Sequence, residues 1–141
     1  MNWTLEVIVI PVSDLDRAKD FYHDKVGFPV DFDQRHGDSR IIQMTPPGSG
    51  CSVTLMSGPE GPGGPPMRPG SLRGVQLVVA DVRAAHAELA ERGVPVGDVQ
   101  VYAPEGIRPY QDGDDLNNVG FCFFDDPDGN GWAVQQITAR D

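Results

Sequence analysis

One stretch of this chain, residues 5–28 (LEVIVIPVSDLDRAKDFYHDKVGF), returns in degraded form at residues 72–96 (LRGVQLVVADVRAAHAELAERGVPV), and nothing else in the sequence constrains the fold as much. In the first copy the β-branched run Val7-Ile8-Val9-Ile10 reads as a strand. It leads through Pro11 and Val12 into Ser13-Asp14-Leu15-Asp16, where Ser13 and Asp16 have the spacing of a capping box. A helix should start there, with Leu15, Ala18, Phe21, Tyr22 and Val26 on its apolar side and Gly27 ending it. In the second copy Val75, Leu77, Val78 and Val79 form the strand. Asp81 takes the place of Asp14, Val82, Ala85 and Leu89 form the stripe, and Gly93 closes the helix. Asp14 and Asp81 lie 67 residues apart in a chain of 141. A repeat at half the chain length implies two like modules, because one copy could not bury its own sheet face.

The intervening sequence completes a β-α-β-β-β order in each half. Residues 29–33 read as a strand and residues 35–38 as a polar turn. Residues 40–45 and 51–56 read as a hairpin joined by Pro46-Pro47-Gly48-Ser49-Gly50. Residues 57–70 hold five Gly and five Pro in fourteen positions, which suits a linker and neither a ladder nor a helix. The expected organisation is a module over 1–58, a linker over 59–70 and a second module over 71–141. In the second half a short strand is expected at 94–101, then strands at 119–124 and 131–137 around the turn Asp126-Pro127-Asp128-Gly129-Asn130. The acidic insertion 102–118 interrupts that order and reads as a loop that could close over a site.

Charge and composition exclude several functions. Eleven basic against twenty-one acidic side chains give a net charge of −10, which opposes binding to nucleic acid or anionic lipid. The longest apolar run, residues 7–12, is far below the ~20 residues of a membrane span. With no basic start to the chain, a cytoplasmic protein is expected. Cys51 and Cys122 have neither CxxC nor Cys/His spacing and read as reduced core thiols.

The strand followed by VSDLDRAKDFY, its echo VADVRAAHAEL and the late DPDGNGW together resemble the vicinal oxygen chelate superfamily of glyoxalases, bleomycin resistance proteins and extradiol dioxygenases. The resemblance covers nearly the whole chain. It implies an α+β fold of two βαβββ modules whose curled mixed sheets form a concave cup, and a homodimer. A fold of this kind does not imply one activity. The enzymes of the superfamily hold a divalent ion with a His or Gln from the first strand of each module and a Glu or equivalent from the last. Matched residue by residue, those positions fall on Val7, Gly74, Ala133 and either Ser52 or Thr54, none of which is such a ligand. No metal and no cofactor are therefore expected. A one-residue shift would bring in Glu6, but would also turn that strand's hydrophobic set to the other face.

Other polar residues read as structural. His23 and His86 lie on helices and His36 in a turn, without a recognisable nucleophile or carboxylate partner. Asp112, Asp114 and Asp115 lack the order of a calcium loop and read as a solvated loop, while Asp125, Asp126 and Asp128 read as turn formers. Trp132 should pack under a helix. Gln76 and Gln135 share strand parity with Gly74 and Ala133 and should face the cup. The expected ligand-binding residues are Val7, Val9, Thr54, Gln76, Tyr102, Tyr110, Phe121, Phe123 and Gln135, an apolar set with a few orienting amides and hydroxyls. The alternative for the same residues is a filled core with no pocket.

Three functions stay open on this reading. A metal-free binding protein would sequester a hydrophobic or aromatic natural product, as in antibiotic resistance. A metal-dependent lyase, isomerase or dioxygenase would need non-standard ligands. A metal-free catalyst would act by orienting a reactive substrate. The vacated ligand positions favour the binding protein over an enzyme.

Overall fold

The computed structural model of the chain describes residues 1–57 and 67–138. Residues 58–66, which take in most of the linker expected over 59–70, lie outside the described residues. The chain divides into two compact units. The first comprises residues 1–72 with 126–130, and the second residues 73–125 with 131–141.

In the first unit β1 (Val7–Pro11), β2 (Val30–His36), β3 (Ser39–Met44) and β4 (Ser52–Met56) form a mixed sheet in the order β1-β4-β3-β2. β1 runs parallel to β4, with Val7 opposite Ser52 and Val9 opposite Thr54. The period of two then sorts the side chains onto two faces. Ile10, Ile42, Met44, Val53 and Leu55 are buried, while Val7, Val9, Ser52 and Gln43 share the other face with the more deeply buried Thr54. Helix α1 (Leu15–Lys19) is capped by Asp14, whose carboxylate accepts the backbone N–H of Arg17 at 3.0 Å. The cap is therefore Asp14 and not the expected Ser13–Asp16 box, because Ser13 is engaged elsewhere. Its N–H and hydroxyl both donate to Asp128, at 3.1 and 2.6 Å.

From Asp20 to Val26 the helix widens into a π-helical stretch, which the sequence pattern did not foretell. Phe21 and Tyr22 are buried there edge to face, with ring centroids 5.1 Å apart. Gly27 ends the stretch at φ 95°, where its N–H and that of Phe28 both reach the Tyr22 carbonyl. Beside α1, Arg40 grips Asp33 through two nitrogens at 2.9 and 2.7 Å and also reaches Asp16, while Lys19 donates to Asp33. The hydrogen bonds from Arg40 and then Lys19 hold the Asp33 carboxyl well below the usual carboxylate range.

The turn 126–130 belongs to this unit. Asp126 is 5% exposed, yet its carboxylate accepts from the Tyr22 hydroxyl, the Asn130 side-chain amide and the backbone N–H groups of Asp128 and Asn130. Asn130 also donates to the Pro11 carbonyl. A buried carboxylate is tolerable only when its acceptor sites are filled in this way.

In the second unit β5 (Val75–Val79), β6 (Gln100–Ala103), β7 (Gly106–Pro109), β8 (Gly120–Asp125) and β9 (Gly131–Gln136) form a sheet in the order β5-β9-β8-β6-β7. β5 runs parallel to β9, as β1 does to β4. Helix α2 (Val82–Glu91) is capped by Asp81 through the Ala84 N–H, which matches the role of Asp14. Val82, Leu89, Cys122, Phe124, Trp132 and Val134 are buried, and Phe124 stacks on Trp132 at 6.0 Å.

The second unit corrects two expectations. The strand expected over residues 94–101 shrinks to a single bridge, Val96 to Phe124, before β6 begins at Gln100. The insertion is not a loop throughout, since Tyr102 to Pro109 forms most of the β6–β7 hairpin. Nor is its acidic cluster simply solvated. Arg108 clasps Asp114 at 2.8 and 2.9 Å, and these bonds, with one from the Gln111 N–H, lower the Asp114 carboxyl to about 2.

Candidate functional site

The face of the second sheet opposite Cys122, Phe124, Trp132 and Val134 holds the candidate site. Antiparallel pairing sets Phe121 opposite Gln135 and Phe123 opposite Ala133, and parallel pairing sets Gln76 opposite Ala133. Paired residues share a face, so one register brings amides and rings together. Tyr102 meets Phe121 edge on, with centroids 4.8 Å apart, and Phe121 stacks parallel to Phe123 at 6.0 Å. Tyr102 is 45% and Phe123 37% exposed. Three aromatic rings in a row on an open sheet face form an apolar surface that water covers poorly.

Beside Phe123 lies a shallow cavity of about 170 Å³, lined also by Gly74, Gly131 and Ala133. The cavity exists because these positions carry little or no side chain, and a β-carbon added at Gly74 would meet nothing within 4 Å. Arg73 and Asp125, paired at 3.1 Å and both more than half exposed, stand at its edge. The two glutamines converge on this face as their parity predicts. Gln76 donates through Nε2 to Gln135 Oε1, and Gln135 Nε2 donates to the Asn118 carbonyl at 2.8 Å.

The remaining expected residues are elsewhere. Tyr110 does not join the aromatic row, because the Arg83 guanidinium of α2 sits 4.7 Å over its ring. Val7 and Val9 lie on the corresponding face of the first sheet, Val7 at 39% exposure. Thr54 is 7% exposed and contributes little surface. Ser52 is tied to Thr45 at 2.6 Å, and Thr45 donates in turn to Asp31. Two participants escaped the sequence reading: the Asn118 backbone and the Arg73–Asp125 pair. Of these, only Asn118 left a trace, as an Asn able to hold the positive φ of 67° found there.

Val7 and Ala133 offer hydrocarbon, Gly74 no side chain at all, and Ser52 and Thr54 neutral hydroxyls, so these positions do not fit a divalent ion. Among the described residues no three His, Cys, Asp or Glu side chains are grouped so as to hold one. Burial pushes the Cys122 thiol up to about 11, which leaves it protonated and unreactive at neutral pH. No helix among the described residues is long and apolar enough to cross a membrane.

The fold and sequence have clear relatives among solved structures. TnmS3, an antibiotic binding protein from Streptomyces sp. CB03234, is 34% identical over 96% of this chain and 97% of its own, with a TM-score of 0.72. A glyoxalase/bleomycin resistance protein from the same strain is 35% identical over 94% of this chain and 100% of its own, with a TM-score of 0.69. A superfamily member from Sphaerobacter thermophilus DSM 20745 is 29% identical over 96% and 98% of the two chains, with a TM-score of 0.71. No curated protein matches significantly. The family model of the Glyoxalase/Bleomycin resistance protein/Dioxygenase superfamily matches residues 4–134, and the chain belongs to that superfamily.

Proposed function

We propose that this protein is a metal-independent small-molecule binding protein that sequesters a planar aromatic natural product. The observation that carries the proposal is the row of the exposed Tyr102, the half-buried Phe121 and the exposed Phe123, set beside a cavity floored by Gly74 and Ala133 and flanked by the Gln76–Gln135 pair. Small residues clear space, rings supply stacking area, and amides fix orientation, which is the usual composition of a ligand site. The sequence likeness to an antibiotic binding protein supports the same reading.

Calorimetric titration with a panel of planar aromatic antibiotics tests it. Saturable binding that survives chelator is expected. Phe121→Ala or Phe123→Ala should then weaken binding by ~0.5 to 1.5 kcal/mol beyond the lost area. Binding or turnover that vanished with chelator and returned with nickel, zinc, manganese or iron would replace this reading with a metal-dependent enzyme.

We further infer that two copies pair and that the protein works in the cytoplasm. Trp3 at 86% exposure, Leu5 at 73% and Val7 at 39% alternate along the approach to the edge strand β1, a run that association would cover. Light scattering that found only the 15.3 kDa single chain at micromolar concentration would overturn the pairing.

A further inference from the structure

The amide chain on the open face of the second sheet has a fixed direction, and that direction has a chemical consequence. A side-chain amide can be turned end for end without changing its shape, so its orientation follows from its partners. The partner at one end is unambiguous. The Asn118 backbone carbonyl can only accept, so Gln135 must present Nε2 to it, at 2.8 Å. That choice places Gln135 Oε1 at the other corner of the amide, where it accepts from Gln76 Nε2. Gln76 has then turned its nitrogen inward along the chain, and its Oε1 is the terminal group. Among the described residues no group donates to that oxygen, and Gln76 is exposed.

Resting on the function proposed above, we propose that Gln76 Oε1 is a hydrogen-bond acceptor held in place by Asn118 through Gln135, so that the site selects planar aromatic ligands carrying an O–H or N–H donor on the ring edge. Reversing Gln76 would aim its oxygen at Gln135 Oε1, and reversing Gln135 would aim an oxygen at the Asn118 carbonyl; both opposed pairs are repulsive. A ligand whose ring lies along Phe121 and Phe123 brings its edge toward both glutamines, because Phe121 pairs with Gln135 while Phe123 and Gln76 both pair with Ala133. An edge without a donor leaves the terminal oxygen stripped of water and unpaired, which is the main penalty in discrimination of this kind. Gln76 is the contacting residue, and Gln135 is a positioning residue.

The test uses 2-naphthol and 2-methoxynaphthalene, which share a ring system and differ in the donor, titrated by fluorescence into the full chain, Gln76→Met and Gln135→Met. The readout is the ratio of the two affinities, which cancels general effects on the ring surface. The naphthol preference should be about fivefold greater in the native protein than in Gln76→Met, the value of one neutral hydrogen bond. Gln135→Met should fall between them, because Gln76 stays in place but its amide is free to turn. The side-chain amide resonances of Gln76 and Gln135 should shift with naphthol more than with the ether. An equal ratio in all three proteins, with both probes binding, would overturn the acceptor assignment while leaving the aromatic site standing. If neither probe bound saturably, the aromatic reading would fall and this inference with it.

Discussion

In the first unit Tyr22, Asp126 and Asn130 turn their polar atoms inward and satisfy one another, whereas in the second Gln76 and Gln135 do so on an exposed face beside three aromatic rings. Both units share a parallel outer pair, an aspartate-capped helix and a helix ended by a left-handed glycine. The common plan therefore accounts for the framework and not for the site. Polar groups locked in a buried network cannot be offered to a ligand, and those on the open sheet face can.

The most forceful way to break this contrast is to remove the inward acceptor. Asp126→Ala removes the acceptor of four hydrogen bonds, and at ~1 kcal/mol or more for each it should cost at least ~4 kcal/mol in urea denaturation. Gln76→Ala on the open face should change stability by less than ~0.5 kcal/mol. Similar costs for the two would show that the units do not differ in this way.

The helix ends offer a smaller and opposite test, since there the units should agree. Gly27 and Gly93 sit at φ 95° and 87°. Replacing either with Ala should cost ~1 to 2 kcal/mol, the penalty of left-handed backbone for an L-residue. A large difference would mean that the π-helical end at Gly27 is held by more than its backbone angle.

Acid should produce the mildest effect. Asp33 and Asp114 both have lowered folded values, so each stabilises the native state above the ordinary carboxylate range near ~4 and loses that contribution as pH falls toward its folded value. Denaturation midpoints followed from pH 6 to pH 2 should decline less steeply in Asp33→Asn and in Asp114→Asn than in the native protein. A slope unaltered by either change would show that these ion pairs do not distinguish the folded from the unfolded chain.

What the sequence disclosed depended on whether the signal was local. The paired aspartates, the closing glycines and the alternation that puts Gln76 and Gln135 on one face can be read from spacing alone, since each follows from a period of two or a turn requirement. The same alternation puts Trp132 on the face away from Gln76 and Gln135, where a helix is expected to cover it, and it is buried there against Phe124. The failures involve partners far away in sequence. Ser13 satisfied the spacing of a cap, but Asp128, 115 residues on, took both of its donors. Tyr110 looked like another ring for the site until Arg83 claimed it. Neither the π-helical widening after Lys19 nor the pairing of β7 with β6 has a composition of its own, since both are settled by packing.

That β6–β7 hairpin also determines how the second sheet ends. Without it the outermost strand would be β6, whose Gln100–Ala103 backbone would be open to a chain from another molecule. With it the rim is β7, four residues that start at Gly106 and finish at Pro109, which has no N–H to offer. The Arg108 side chain is clasped to Asp114 within the same unit. A strand arriving from outside finds few places to bond and little length to follow, which is how short, proline-ended edges oppose strand addition.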